Sequence, residues 1–170
     1  MTTIEEEFKY DYPDANCHLW FFENNLPGYA WYVPKANGYL NVGIGGKFLT
    51  LKKRGQTIRR HWDDFIATLA QLSLVQGHTY RPRGHNYYLR QSLPAGQIDN
   101  AFIIGDAAGL ATLDLGEGIG PAIESGILAA NAILTGRRFS TSSIARYSLA
   151  HILWAGIKTT LTGRTFSNFH

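Results

Sequence analysis

The stretch Ala101–Thr135, AFIIGDAAGLATLDLGEGIGPAIESGILAANAILT, decides the reading of this chain. It reads as a strand, a glycine-rich turn and a helix. Residues 101–104 are wholly apolar, the pattern of a short buried strand. Gly105-Asp106 ends the run and sets a carboxylate at the strand's carboxyl end. The loop that follows closes in Gly116-Glu117-Gly118-Ile119-Gly120. From there Ile119, Ile123, Ile127, Ala130 and Leu134 recur at helical spacing, and Gly136 stands where a helix terminator is expected. Ala122, Gly126, Ala129 and Ala130 are expected on the inner face, where small residues let a backbone approach a sheet or a flat ligand. A carboxylate at a strand end accepts hydrogen bonds from ligand hydroxyls. The helix start offers unpaired N–H groups and a partial positive charge. Such a unit suits a polyol-linked, reducible ring better than a metal or a nucleophile. On glycine spacing alone, a capped strand–loop–helix without a ligand is an equal alternative.

The run GDAAG followed by GEGIGPAIESG resembles the second flavin-binding motif of FAD-dependent oxidoreductases with the p-hydroxybenzoate hydroxylase-like fold, and most of all that of the geranylgeranyl reductase family. The resemblance implies that Asp106 contacts the ribityl chain of FAD. It sets Gly116, Gly118, Ile119 and Gly120 beside the flavin ring, with Gly105, Ala107 and Ala108 completing the match. A second segment, PGYAWYVPKANGYLNVGIG, is similar to the family's Tyr-x-Trp, Pro-Lys and Gly-x-Gly pattern. That pattern falls here on Tyr29, Trp31, Val33, Pro34, Lys35, Gly43 and Gly45. Val33 replaces a residue that is often Phe in the family. The resemblance implies a substrate cavity lined by Tyr29, Trp31, Pro34, Gly43 and Gly45. Read without it, the same segment is an aromatic hairpin core.

A chain of 170 residues is long enough for one domain with a sizeable core. With 45% hydrophobic and 17% charged residues it is globular rather than disordered. A net charge of +3 is too small to imply a nucleic-acid partner. One cysteine, Cys17, excludes an internal disulfide and fits a reducing, cytoplasmic compartment. Because Cys17 lies in an apolar run, a buried and inert thiol is expected in preference to a reactive one. No signal-peptide pattern opens the chain, and no apolar run approaches the ~20 residues of a membrane span.

Read in order, residues 4–10 are expected as a polar edge strand, and strands follow at 17–23, 29–33 and 39–44. Asn37-Gly38 forms the hairpin turn before the last of these. Residues 55–73 are the clearest helix. Ile58, Trp62, Phe65, Ile66, Leu69 and Leu72 share one face; Arg59, Arg60, Asp63 and Asp64 lie opposite. Lys52-Lys53-Arg54 reads as a solvated approach to that helix. A basic strand is expected within 79–90. His78 and His85 lack metal-ligand spacing and are expected at the surface or hydrogen-bonded; no metal site is expected. Ser140–Ser143 offers caps for a helix over about 144–158.

The expected fold class is α+β: an antiparallel sheet of a substrate domain over 1–100, with the helix at 55–73, and a strand–loop–helix piece of a FAD-binding domain over 101–170. The G-x-G-x-x-G that opens two-dinucleotide-fold flavoproteins is absent. Gly43-Ile44-Gly45-Gly46 has the wrong spacing, and no suitable helix is expected over 47–53. The chain therefore reads as a truncated, C-terminal portion of a FAD-dependent oxidoreductase whose parent reduces isoprenoid carbon–carbon double bonds, with NAD(P)H open as reductant. No side chain presents itself as a catalytic acid or base. Rival readings are a flavin monooxygenase or halogenase fragment and a non-catalytic interaction remnant. An isoprenoid lipid substrate brings an expectation of peripheral membrane contact. The uncovered strand and helix bring one of self-association or of a partner chain supplying the N-terminal half. The absent pyrophosphate loop also makes a direct prediction: the purified chain carries little FAD. A flavin absorbance spectrum checks this, and a stoichiometrically yellow protein would refute it.

Overall fold

The computed structural model describes residues 1–91 and 96–148. The chain divides into two compact units, Met1–Tyr87 and the part from Tyr88 onward. The architecture is α+β with an antiparallel sheet, as the sequence predicts.

The first unit contains β1 (Thr2–Lys9), β2 (His18–Phe21), β3 (Gly28–Lys35), β4 (Tyr39–Gly46), α1 (Phe48–Lys53), α2 (Ile58–Gln71) and β5 (Arg83–Asn86). The five strands form one sheet in the order β2-β3-β4-β1-β5, and every pairing is antiparallel. The β3–β4 hairpin turns through Ala36–Gly38, where Asn37 has φ 61° and Gly38 φ 71°. Both angles lie in the left-handed region that Asn and Gly tolerate best, so this dipeptide fixes the register. Counting back from Lys35 opposite Tyr39 sets Trp31 opposite Gly43.

Strand periodicity then divides the residues between two faces. Ile4, Phe8, Ala30, Tyr32, Leu40, Val42 and Ile44 point to one side, where Trp62, Phe65 and Leu69 of α2 cover them. Thr57 caps α2 by accepting from the Arg60 N–H at 3.4 Å. Arg59, Arg60, Asp63 and Asp64 are exposed, as their spacing predicts, whereas Leu72 is also exposed. His61 lies among the buried residues of α2, although it stands outside the apolar spacing. His78 stacks on Phe8, with ring centroids 3.7 Å apart, and pairs with Glu6 at 3.0 Å.

Several local expectations are corrected in this unit. The strand expected at 4–10 lies inside the sheet between β4 and β5, not at its edge. Its carboxylates Glu5 and Glu7 take the face away from the core, while Glu6 lies on the side of Ile4 and Phe8, where it pairs with His78. Cys17 is exposed rather than buried, because it precedes β2 and lies outside its pairing. Residues 48–53 form the short helix α1, and only its Leu51 is buried. The strand expected within 79–90 narrows to β5.

The second unit contains β6 (Gln97–Ile98), β7 (Ala101–Phe102) and α3 (Ile119–Thr135). A 3₁₀ turn over Gly105–Ala108 connects β7 to the loop before α3. The buried strand expected at 101–104 is corrected to the two residues of β7, which pair antiparallel with β6. Ala101, Ile103 and Ile104 are exposed, because among the described residues β6 is the only strand that pairs with β7. The helix is found where its period predicts, and Gly136 ends it at φ 66°. Of the small residues expected on its inner face, Ala129 is buried, Ala122 and Gly126 are half-buried, and Ala130 is exposed. Pro121, Ser125, Ala129 and Ala132 are buried, whereas Ile119, Ile123, Ile127, Ala130 and Leu134 face outward. The helix expected over 144–158 lies largely outside the described residues, and residues 144–147 are not helical. Among the described residues no helix is long and apolar enough to cross a membrane.

Burial holds the His61 imidazole below its ordinary pKa. The unfolded chain takes up this proton near pH ~6.5 and the folded chain only at lower pH, so the unfolded state binds more protons as pH falls. The contribution of His61 to stability is therefore full above about pH 6.5 and declines below it. Urea unfolding at pH 7.5 and pH 5 is expected to show a loss at the lower pH that shrinks in His61→Gln. An equal loss in that variant would assign the effect to other groups.

Candidate functional site

In the second unit one hydrogen bond joins the turn to the helix. The Gly105 N–H donates to Ser125 Oγ at 3.0 Å, and Ser125 Oγ–H donates to the Ala122 carbonyl at 2.9 Å. Ser125 is fully buried, so both partners are needed to satisfy its hydroxyl. Gly105 has φ 56°, and a Cβ there would stand 3.3 Å from Ala122 Cβ. A residue with a side chain is thus disfavoured twice at position 105, by backbone angle and by contact.

This tie sets Asp106 against the start of α3. A Cβ on Gly118 would lie 2.7 Å from Asp106 Oδ1, so the glycine lets the carboxylate sit beside the helix backbone. Asp106 and Ala107 are exposed and Ala108 is buried. Among the described residues none donates a hydrogen bond to the Asp106 carboxylate. Gly116 is buried at φ 71° in the loop before the helix, and Ile119 and Gly120 are exposed at its first turn. The structure therefore brings Gly105, Asp106, Ala107, Gly116, Gly118, Ile119 and Gly120 into one neighbourhood.

Two features of this neighbourhood are absent from the sequence reading. Glu117 Oε1 accepts from the Gly120 N–H at 2.6 Å, so a side chain of the chain itself occupies part of the helix start. Glu117 is positioned in turn by Thr112, whose Oγ1 accepts the Glu117 N–H at 3.0 Å while its N–H donates to the Glu117 carbonyl at 2.9 Å. An acidic residue just before a helix is a capping signal that the sequence carried. Ser125 was also legible as the polar residue on a helix face of small apolar ones.

The first unit presents the other group of residues. Tyr29, Trp31, Gly43 and Gly45 alternate onto the sheet face away from α2. Pro34 does not join them, since it pairs with Leu40 and so lies on the helix-covered side. The Trp31 indole lies flat across Gly43, where any Cβ would overlap Cζ2 and Cε2 of the ring, and reaches over Gly45. Its Nε1–H donates to Asn41 Oδ1 at 2.6 Å. Tyr29 packs beside Trp31 with ring centroids 5.7 Å apart, and Phe21 beside Tyr29 at 5.5 Å. Leu19 and Phe21 extend this apolar strip at the β2 edge and are about half exposed. Toward β1 and β5 the same face becomes polar, with an open groove of ≈ 670 Å³ lined by residues that include Glu5, Glu7, Lys35, Asn41, Arg83 and His85. Lys35 and Glu7 form an ion pair in it. Among the described residues no group of three or more His, Cys, Asp and Glu side chains is placed to hold a metal.

Comparison with known proteins identifies relatives of the chain. No protein-family model matches the sequence. Digeranylgeranylglycerophospholipid reductase 2 of Methanosphaera stadtmanae is 33% identical over 138 residues, which are 75% of this chain and 32% of that protein. Menaquinone reductase of Mycobacterium tuberculosis is 30% identical over 149 residues, 84% of this chain and 32% of its own. Over the matched residues the chain is homologous to these two reductases. It spans about a third of the length of these curated relatives. Among solved structures, a geranylgeranyl bacteriochlorophyll reductase-like protein from Thermoplasma acidophilum aligns with 94% of this chain and 39% of its own, at 20% identity and a TM-score of 0.49.

The cross-strand contact of Trp31 with Gly43 is open to test. Gly43→Ala is expected to cost about 1–3 kcal/mol by forcing the indole off the sheet, and less in a Trp31→Ala background, where only the 2.8 Å approach to Glu5 Cβ remains. Urea midpoints of the two single variants and the double variant give the comparison. Additive costs would show that the ring and the glycine are not in contact.

Proposed function

We propose that this chain forms part of a FAD-dependent reductase of isoprenoid carbon–carbon double bonds. In this reading the second unit contributes to the flavin site and the open sheet face of the first unit binds substrate. The carrying observation is the Asp106 carboxylate, exposed and without a donor among the described residues, held beside a helix start that lacks side chains at Gly118 and Gly120. The residues fit the ribityl part of the cofactor: a carboxylate accepts from hydroxyls, and Gly118 leaves the backbone open to a flat ring. Glu117 reduces the fit for a second anion at the same helix end, because its own carboxylate already takes the Gly120 N–H.

When bound, the flavin supplies hydride transfer to a carbon–carbon double bond, with NAD(P)H as the reductant that serves it. What this chain supplies is position. Asp106 orients the polyol, and the Gly105–Ser125 hydrogen bond holds Asp106 in place. On the other unit, Leu19, Phe21, Tyr29 and Trp31 offer apolar surface to a prenyl chain. The charged groove beyond Asn41 offers ion pairs and hydrogen bonds to a polar head. A face divided in this way fits an amphipathic substrate better than a wholly apolar one. The relatives, a digeranylgeranylglycerophospholipid reductase and a menaquinone reductase, support the same class.

The test is titration with added FAD, followed by flavin fluorescence. Asp106→Ala is expected to weaken binding by about 1.5–3 kcal/mol, the range for hydrogen bonds to a charged group, with an unchanged melting curve. Equal affinity in the variant and the parent chain would overturn the assignment of Asp106.

A further inference from the structure

We infer that α1 and the loop between β2 and β3 form a margin of the first unit that docks on an anionic lipid bilayer. Residues 48–53 are helical, and the helix brings together what the sequence spreads out. Leu49 stands three and four residues before Lys52 and Lys53, so the three share the helix face turned away from the buried Leu51. Leu49 is 77% exposed and Phe48 53%. The loop between β2 and β3 adds a third large apolar side chain, Phe22, at 56%. Two hydrogen bonds hold that loop beside α1. Arg54 Nη1–H donates to the Asn25 carbonyl at 2.8 Å, and the Lys47 N–H donates to the Pro27 carbonyl at 2.9 Å. Phe22 has φ 59°, a left-handed angle that is costly for a bulky residue. The fold accepts that cost and still leaves the ring outside its core.

Charge selects the occupant. Lys52, Lys53 and Arg54 are exposed, and no Asp or Glu occurs between Lys47 and Trp62. The loop sets one carboxylate, Glu23, against these three cations. Among the described residues none of the three forms an ion pair. The core of a protein–protein interface is depleted of Lys, whereas here two lysines flank the most exposed apolar side chain of the margin. That arrangement matches the boundary of a bilayer, where apolar tips enter the acyl region and Lys heads stay at the phosphates. Three apolar side chains and three cations give reversible, peripheral binding rather than insertion. Position favours the same occupant. Phe21 pairs with Tyr29 and Tyr29 with Gly45, so the apolar strip of the open sheet face ends at this margin. A prenyl chain bound on that strip would pass from bilayer to sheet without crossing water. This consequence rests on the proposed function; the docking itself does not.

Flotation with lipid vesicles tests the inference without any flavin. The chain is expected to bind phosphatidylcholine vesicles that contain roughly one third phosphatidylglycerol, to ignore phosphatidylcholine alone, and to release as salt is raised. A lysine beside an anionic surface strengthens binding about fivefold, so Lys52→Gln combined with Lys53→Gln is expected to weaken it roughly 25-fold. Leu49→Ser is expected to weaken it roughly tenfold with an unchanged circular dichroism spectrum. Ile127→Ser, at an exposed apolar position of α3, is expected to bind as the parent chain does. In a Cys17→Ser background, an environment-sensitive dye on Leu49→Cys is expected to shift to the blue when vesicles are added, and the same dye on Leu134→Cys is not. A chain that stays free of the anionic vesicles would overturn the proposal. So would full-strength binding in Leu49→Ser and in the double lysine variant, loss of binding in Ile127→Ser, or a dye shift at position 134 without one at 49.

Discussion

The candidate cofactor site depends on the buried hydrogen bond between the Gly105 N–H and Ser125 Oγ. It is a single contact, but it joins residues 20 positions apart and leaves neither polar group unpaired. Without it the buried Gly105 N–H would lose its partner at a cost of about 1–3 kcal/mol, while Ser125 would keep only its bond to the Ala122 carbonyl. With it the turn has one position along α3, and Asp106 arrives beside Gly118. The positive φ of Gly105 and its contact with Ala122 reinforce that position. Among the described residues none donates to the Asp106 carboxylate; only its backbone carbonyl accepts, from the Gly109 N–H. That is the physical difference between a carboxylate that serves as a cap, as Glu117 does, and one left open to a ligand.

The sequence was most legible where local chemistry decides conformation. Asn37-Gly38 identified the hairpin, and the hairpin fixed the register that sets Trp31 opposite Gly43. The apolar period of α2 identified Trp62, Phe65 and Leu69 as core, and Gly136 marked the end of α3. Less legible were the features that depend on what packs against an element. A run such as 101–104 reads as buried because it is apolar, but burial requires neighbours, and a four-residue run does not encode them. The helix α3 shows the same limit more clearly. It carries small residues on one face and large ones on the other, and periodicity alone does not say which face turns inward. The close approach to the Gly105 turn required the small face, so the isoleucines were left outside. Strand β1 misled in the opposite sense. Its glutamates suggested an edge, yet an inner strand can be half polar when one face of the sheet lacks a covering layer.

Relatedness to the geranylgeranyl reductases and the geometry of the two units bear on different questions. The relatives match this chain over about a third of their own length, so the match speaks to relatedness and not to a whole catalytic apparatus. Each unit by itself carries a patch with its own chemistry. One patch has a carboxylate and bare backbone suited to a polyol and a ring. The other has an apolar strip running into charge.

The glycines of the sheet motif have a structural reason that is independent of any ligand. Gly43 and Gly45 leave a flat bed on which the Trp31 indole lies, and Asn41 fixes the ring by accepting its N–H. Their presence therefore cannot by itself argue for substrate. The argument lies in what the bed accomplishes. An indole laid flat presents its full outer face to the uncovered side of the sheet, whereas a Trp standing upright on side chains would fill that side itself. Burying a side chain such as Leu19 or Phe21 contributes roughly 1.5–3 kcal/mol, and the fold forgoes much of it by leaving both at the margin of the same face. A strip that is flattened by glycine, fixed by a hydrogen bond and left uncovered is consistent with a surface kept for an apolar molecule.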